Sequence, residues 1–426
     1  MTKILILLIS ILSLLPYFSF AQEIDQLILN NEYDKALKVI DNELSINEAQ
    51  PMLYLKKGII QQKIFDFTGS VATLEKAYEL DSINPNILSE IAEANSSLGN
   101  HRRALPYLKS LYNADTINTI KALKLVRGYL NLRIYKEPFT ILKSTYQRDT
   151  TNLLVNKQFA LCAARTGNDD LAISLYQKVI SQNPSDLANY TNLVSVYQNI
   201  NQNIKAIETL KKGLEVFPDE PILLNRLGDF QYQRQDYAKA IIPYEKYLSK
   251  GDSGPDVLKN LGICYYFEKR EKEGLYLLHK SLLLNSDHPI VGLYIGLCYK
   301  ALNQFDKSID YLDFAAKIAI PYYLTDIYYH LGIVYGLRRE FKNSIESFKK
   351  AYQLDTTKCN ALFEIATTYE EMQKDKTLAI RYYNAYLKAK KEDNAYFRKL
   401  TEYALARKRK FKEDKFLEAK KPAQKP

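Results

Sequence analysis

The sequence predicts an all-α chain built as one long run of helical hairpins, and three observations predict it. Of its 426 residues only 15 are Gly and 14 Pro, too few for a loop-rich β protein or a fibrous one, while Leu, Ile, Lys, Glu, Ala and Tyr dominate. Short polar turn clusters recur every 34 residues. Between them, small and large apolar residues return at fixed offsets, with the i, i+3, i+4 spacing of a helix face. A composition 46% hydrophobic and 25% charged excludes a disordered chain.

Residues 1–21 have the layout of a secretory leader. Lys3 is followed by an apolar run from Ile4 to Leu15, Pro16 breaks it, and Ser19 and Ala21 supply small residues at −3 and −1. Cleavage is expected before Gln22, which would make the mature protein periplasmic or secreted. No cysteine follows the apolar run to take a lipid, and no other run is long enough to span a bilayer. The formal charge of +10 is concentrated at the other end: from Leu387 onward 14 Lys and Arg stand against 6 Asp and Glu, so the body is nearly neutral.

The turn clusters begin at Asp81, Asp115, Asp149, Asn183, Phe217, Gly251 and Asn285, each 34 residues after the last; one 36-residue step crosses Pro321 and the ruler resumes at Asp355. Within each period a small residue stands where two helices must touch: Gly58, Ala92, Ala160, Gly228, Gly262, Gly296, Gly332 and Ala366, with Val126 and Val194 as larger exceptions. A second small position follows at Ser70, Ala104, Ala172, Ala206, Ala240, Gly274, Ser308 and Ser344, and four residues later a large apolar one, among them Leu74, Tyr176, Tyr244, Leu278, Leu312, Phe348 and Tyr383. These spacings place the residues on one face of each of two helices per period. Pro138 sits where the second small residue belongs, so that helix is expected to start late or kink.

This register resembles the tetratricopeptide repeat family, whose pattern is W-x2-L-G-x2-Y, then A-x3-F, then A and P in 34 residues. LLNRLGDFQYQRQDYAKAIIPYEKYL at 223–248 and NKQFALCAARTGNDDLAISLYQKVISQNP within 156–189 carry the likeness, although Tyr or Leu replaces the family's tryptophan. The resemblance implies an all-α solenoid, a right-handed superhelix of about ten hairpins plus caps. The array covers 22–391, in units near 24–50, 51–84, 85–118, 119–152, 153–186, 187–220, 221–254, 255–288, 289–322, 325–358 and 359–391. Ile24 to Leu44 should cap one end. A helix over 392–418 should close the other with Phe397, Leu400, Tyr403 and Ala404, and 419–426 reads as a basic disordered tail.

Candidate chemistry was sought against this background. GDSGP at 251–255 has the letters of a serine-protease nucleophile loop, yet it falls on the ruler as an inter-repeat turn, one period from FPDE and NSDH. Cys162, Cys264 and Cys298 share one slot, at multiples of 34 residues. Neighbouring copies of that slot should lie about 8 to 10 Å apart, beyond disulfide reach, so buried free thiols are expected, with Cys359 more exposed. The histidines 101, 279, 288 and 330 fall at four different offsets with no metal-ligand spacing, and no phosphate loop or acid–base pair appears. No catalytic residue, metal or cofactor is assigned. The basic segment Arg407 to Lys412 would suit nucleic acid in a cytosolic protein, but export points instead to a solvated helix face or contact with anionic lipid or polymer.

In the family it resembles, the first helix of each hairpin lines a concave groove for an extended peptide or partner helix. Projected onto this chain, the groove is Arg127, Asn131, Lys157, Arg165 and Asn199, followed by Asn225, Tyr232, Lys259, Tyr266 and Phe267. The same slots also include Glu93, Asp229, Lys300, Tyr329, Phe363 and Glu370. Long donors suit peptide carbonyls and aromatics suit apolar side chains. The expected function is a non-enzymatic scaffold binding protein in the cell envelope, with no nucleic acid and no small-molecule substrate. The alternative is a tether whose basic terminal helix contacts membrane or envelope polymer.

Overall fold

The computed structural model describes residues 22–251, 253–391 and 394–419, and every regular element among them is helical. The leader and the residues after 419 lie outside the described residues, and with them the expected cleavage site and tail.

The chain divides into two units, 1–209 and 210–426, the division falling inside one helix, α12 (Asn203–Val216). In the first unit α1 (22–29) and α2 (Tyr33–Ile46) precede a run of hairpins: α3 (Pro51–Lys63) with α4 (Phe67–Leu80), α5 (Pro85–Ser97) with α6 (His101–Asn113), α7 (Thr119–Asn131) with α8 (Lys136–Arg148), and α9 (Leu153–Arg165) with α10 (Asp169–Gln182), followed by α11 (Leu187–Asn199). The second unit continues with α13 (Pro221–Gln233) and α14 (Tyr237–Leu248), α15 (Pro255–Phe267) and α16 (Glu271–Leu284), α17 (Pro289–Ala301) and α18 (Phe305–Ile318), α19 (Pro321–Leu337) and α20 (Phe341–Leu354), α21 (Asn360–Met372) and α22 (Thr377–Ala389), then α23 (Ala395–Ala419). Consecutive helices pack on one another from α2 to α11 and from α13 to α23, and first helices of successive hairpins also touch, α3 with α5 and α9 with α11 in the first unit and α13, α15, α17, α19 and α21 in turn in the second.

The helix starts follow from the turn residues. In the first unit Asn84, Asn118, Asn152 and Asp186, one period apart, turn their side chains back onto main-chain N–H groups of α5, α7, α9 and α11, satisfying donors that a helix end leaves open. In the second unit proline takes over at the first helical position, in α13, α15, α17 and α19, where its missing N–H costs nothing.

The turn inside every hairpin before α21–α22, and that between α1 and α2, holds a left-handed residue, recurring at Asn31, Phe65, Gly99, Arg133, Gly167, Asn201, Gln235, Lys269, Asn303 and Arg339, with φ between 57° and 76°. The N–H after it reaches back to the carbonyl five residues earlier, as in Asp66 to Gln61 at 2.8 Å and Arg270 to Tyr265 at 2.8 Å, which is the Schellman closure of a helix end.

Inside a hairpin the small residue of the first helix faces the large residue 16 positions later. A Cβ on Gly58 would stand 2.5 Å from Leu74 Cγ, on Gly228 2.5 Å from Tyr244 Cε1, and on Gly332 2.7 Å from Phe348 Cδ1. Where the second small residue is serine, its hydroxyl donates to the carbonyl of that glycine: Ser70 to Gly58 at 2.9 Å, Ser308 to Gly296 at 2.8 Å and Ser344 to Gly332 at 2.8 Å. The close approach buries a polar donor and satisfies it in one contact.

At Pro138 the helix starts late, as expected: α8 begins at Lys136, one residue behind the register of its counterparts, and Pro138 lies in the first turn, where no intrahelical N–H is needed. The two extra residues near Pro321 enter a helix rather than a loop, since α19 has 17 residues where the corresponding helices have 13. At the beginning, Ile24, Ala36, Ile40 and Leu44 pack together with Ile60. At the far end Ala404 and Phe411 of α23 are buried against Phe363, Ala366, Ala379, Tyr383 and Tyr386, with Phe397 and Leu400 at the edge. Tyr403 stays 46% exposed although its ring lies 5.7 Å from that of Phe363.

Candidate functional site

The side chains singled out in the sequence divide into those that remain available and those already engaged. In the first unit Arg127, Asn131, Arg165 and Asn199 are exposed near the ends of α7, α9 and α11. Asn131 Nδ2 stands 3.5 Å from His101 Nδ1, and the Arg165 guanidinium lies 6.0 Å from the Tyr135 ring. Lys157 is engaged, its ammonium 2.6 Å from Asp186, the residue that caps α11. In the second unit Lys259 likewise pairs with Asp256 of its own first turn at 2.6 Å. Both lysines therefore present half-neutralised heads.

Tyr232, Tyr266 and Phe267 do come together, and the structure adds two partners. Tyr237, at the start of α14, lies parallel to Phe267 with ring centroids 4.1 Å apart and meets Tyr232 edge-on at 5.9 Å. Tyr294 of α17 meets Tyr266 at 5.5 Å and Phe267 at 5.9 Å, and Tyr266 meets Phe267 at 5.2 Å. Five rings thus form one continuous wall along α13, α15 and α17. Phe267 is 42% exposed, a large aromatic face left open to solvent. Burial raises the Tyr232 phenol to about 12 and pushes Tyr266 and Tyr294 up as well, so the hydroxyls stay neutral donors and acceptors. Tyr294 could have been found in the sequence: one and two periods earlier its slot holds Asn260 and Arg226, so an aromatic there breaks the pattern.

Asn225, two turns before Tyr232 on α13, is half-buried, and its Oδ1 is buried without a hydrogen-bond partner. Behind it, the Asp229 carboxylate accepts a hydrogen bond from Tyr244 Oη at 2.6 Å and a longer one from Asn260 at 3.4 Å. Burial raises the Asp229 pKa in spite of those donors. Phe363 and Glu370, projected into the groove from the sequence, are covered instead. Phe363 is buried under α23, and Glu370 is paired with Arg407 and accepts from Tyr383 at 2.8 Å. The terminal helix occupies the place a ligand would take.

All four cysteines are buried thiols outside any disulfide, and burial alone holds Cys162 near 12. The expectation of a more exposed Cys359 is corrected: it precedes α21 and is roofed by the cluster under α23, only 4% exposed. Ser253 of GDSGP is exposed on the turn between α14 and α15, beside Gly251 at φ 93°. Among the described residues no three His, Cys, Asp or Glu side chains gather as a metal site would need, and no helix is long and apolar enough to cross a membrane. His279 packs between Tyr299 and Tyr311, ring centroids 6.0 and 5.3 Å away, and burial lowers its pKa. The basic segment is split: Arg407 turns inward to Glu370 and lies 5.0 Å from the Phe411 ring, while Arg409, Lys410 and Lys412 face solvent.

Hairpins that pack on their neighbours and present side chains from their first helices define an α-helical repeat protein whose tool is surface. More narrowly, the chain carries tetratricopeptide repeats: family models for this repeat match residues 158–186, 192–256, 325–358 and 360–389. Two curated proteins are similar at 22% identity. They are tetratricopeptide repeat protein 8 of Caenorhabditis elegans, over 49% of this chain and 41% of that protein, and the BBSome complex member BBS4 of Bos taurus, over 47% and 38%. The chain therefore matches less than half the length of these relatives. Among solved structures, the C-terminal part of a TPR repeat-containing protein from Cytophaga hutchinsonii aligns at 16% identity and a TM-score of 0.47, covering 57% of this chain and 99% of that one. Repeats of this kind serve as protein-interaction scaffolds.

Proposed function

We propose that this chain is a non-enzymatic scaffold that holds an extended peptide or a partner helix against the aromatic wall of α13, α15 and α17, and that it works outside the cytoplasm, in the cell envelope. The observation that carries the reading is the five-ring run from Tyr232 to Tyr294, with Phe267 left open although its neighbours are packed. Aromatic rings held by one another lose little freedom on binding and anchor apolar side chains well. Export is supported by the leader pattern of residues 1–21 alone.

The test is partner capture from an envelope fraction by the intact chain and by a Tyr232→Ala, Tyr266→Ala, Phe267→Ala variant, with circular dichroism to establish that the variant is folded. Proteins held by the wall disappear from the variant, and an unchanged set refutes the reading. N-terminal sequencing of the mature protein should begin at Gln22, and a chain beginning at Met1 would remove the envelope assignment.

A second reading rests on Arg409, Lys410 and Lys412, which lie together on the solvent side of α23. It makes the chain a tether to anionic membrane or polymer. Charge reversal at these three residues leaves Ala404 and Phe411 in place, so loss of salt-sensitive binding to anionic vesicles would favour this reading without unfolding the cap.

A further inference from the structure

The slot holding Glu93 on α5 and Arg127 on α7 is filled by Ile59, Leu161, Ile263, Leu297 and Ile333 in five of the other hairpins, and by Ser195, Asp229 and Thr367 in the remaining three. Here two consecutive hairpins put opposite charges at a position that most others make apolar, yet neither residue forms an ion pair among the described residues. Between them lies a cavity of about 280 Å³.

The cavity exists because nearby slots are truncated. Ser96 stands where Tyr232 and Tyr266 stand in later hairpins, Ser97 where Arg165 and Phe267 stand, and Gly128 where Ile60, Val196 and Phe230 stand. Ala92, Leu108 and Gly128 make a buried apolar floor, with Leu108 Cδ1 only 2.8 Å from where a Cβ on Gly128 would be. Lys124 adds a second cation to the wall and donates to Ser89 Oγ at 3.1 Å.

A carboxylate on one side of the cavity and two permanent cations on the other, left apart and lined by hydroxyls, are complementary to a ligand carrying both charges. We propose that this cavity binds a small zwitterion of the α-amino-acid class, its carboxylate toward Arg127 and Lys124 and its ammonium toward Glu93. The fixed guanidinium plane suits a carboxylate in two parallel hydrogen bonds, and the volume admits a free amino acid or dipeptide rather than a folded partner. This extends the chain's reach beyond the protein partner expected from its sequence, and it stands independently of the aromatic wall in the other unit.

Saturation-transfer NMR on the full chain at millimolar ligand tests it, with glycine, L-alanine and L-glutamine as probes. Acetate, methylammonium and an alanine peptide, as free acid or amide, serve as comparators. At least one amino acid should bind, with acetate and methylammonium about tenfold weaker or more. Arg127→Ala and Glu93→Gln should each weaken binding by about tenfold to a hundredfold, the range expected for a charge-assisted hydrogen bond. Ser97→Leu, which copies Leu337 of another hairpin, should fill the cavity and abolish binding with every charge retained and the melting curve unchanged. Equal binding of acetate would make this an anion site and overturn the proposal. So would preference for the free-acid peptide over every amino acid, binding that survives Ser97→Leu, or no binding by a folded protein.

Discussion

Replacing Lys269 with glycine should stabilise the α15–α16 hairpin. Lys269 closes α15 at φ 59°, its side chain is exposed, and its backbone role is carried by its own N–H to Tyr266 at 3.1 Å and the next N–H to Tyr265 at 2.8 Å. Glycine keeps both bonds. A Cβ in the left-handed region costs about 1–2 kcal/mol. Glycine escapes that cost but gives up about 0.5–1 kcal/mol more backbone entropy on folding. The net gain is about 0.5–1 kcal/mol. Asparagine should fall between glycine and lysine, alanine should match lysine, and valine, branched at Cβ, should be the least stable. Because hairpins in such arrays stabilise one another only through neighbours, native-state hydrogen exchange of the α15 and α16 amides reads the effect more directly than a global urea midpoint. Gly99→Ala is the mirror experiment: φ is 75° and nothing lies within 4 Å of the added Cβ, so its loss of about 1 kcal/mol would be conformational alone. A glycine at 269 no better protected than alanine, or a valine as stable as lysine, would refute this account of the turn.

Gly228→Ala drives a methyl to 2.5 Å from Tyr244 Cε1, and turning that ring displaces its hydroxyl from Asp229; a loss of about 1–3 kcal/mol and a changed near-ultraviolet tyrosine signal are expected, read by melting and circular dichroism. Ser308→Ala removes the 2.8 Å hydrogen bond to Gly296 and should cost about 1 kcal/mol in urea unfolding. Burial lowers His330 from 6.5 to about 4, against an Asp326 charge that favours protonation and Lys300 and Lys358 charges that oppose it. The unfolded imidazole takes its proton at the ordinary value and the folded one does not, so this contribution is full above pH 6.5 and is lost as pH falls toward 4. The amount is about 3 kcal/mol, and His330→Phe should flatten that part of the stability–pH curve. Thiol reagents should find no reactive cysteine in the native protein and four after unfolding in urea without reductant; fewer than four would mean a disulfide.

Helix pairing was legible because close packing leaves a direct mark in sequence. Where two helices must touch, Gly58 faces Leu74 and Gly332 faces Phe348, and such pairs recur at a constant 16-residue offset that no other contact imitates. The left-handed turn was much harder to read. Only Gly99 and Gly167 of its ten positions carry the glycine that advertises that conformation, and Phe65, Arg133 or Lys269 announce nothing. The groove was read in part. Side-chain type and slot brought Tyr232, Tyr266 and Phe267 to one face, but no spacing rule shows that Lys157 and Lys259 are held by Asp186 and Asp256, because those partners come from turns whose side chains could as well have faced water. Cys359 was misjudged because its burial comes from tertiary packing, with α21 and α22 of its own hairpin and with α23 far along the chain, that a position next to a helix start does not reveal. The first-unit cavity was present in the sequence as small residues at Ser96, Ser97 and Gly128, where several other hairpins carry longer side chains, beside the opposite charges of Glu93 and Arg127.

The contact between α23 and the last hairpin has a consequence for how the molecule behaves in company. A stack of like modules offers at its final face the same template it offers at every internal joint, so an unroofed end invites another copy to dock. Phe363, Tyr383 and Tyr386 are that template here, hidden by Ala404 and Phe411 and fastened through Arg407 to Glu370. With the lid bonded by charge and Arg409, Lys410 and Lys412 exposed on it, docking of a further copy on that face is opposed first by geometry and then by mutual repulsion.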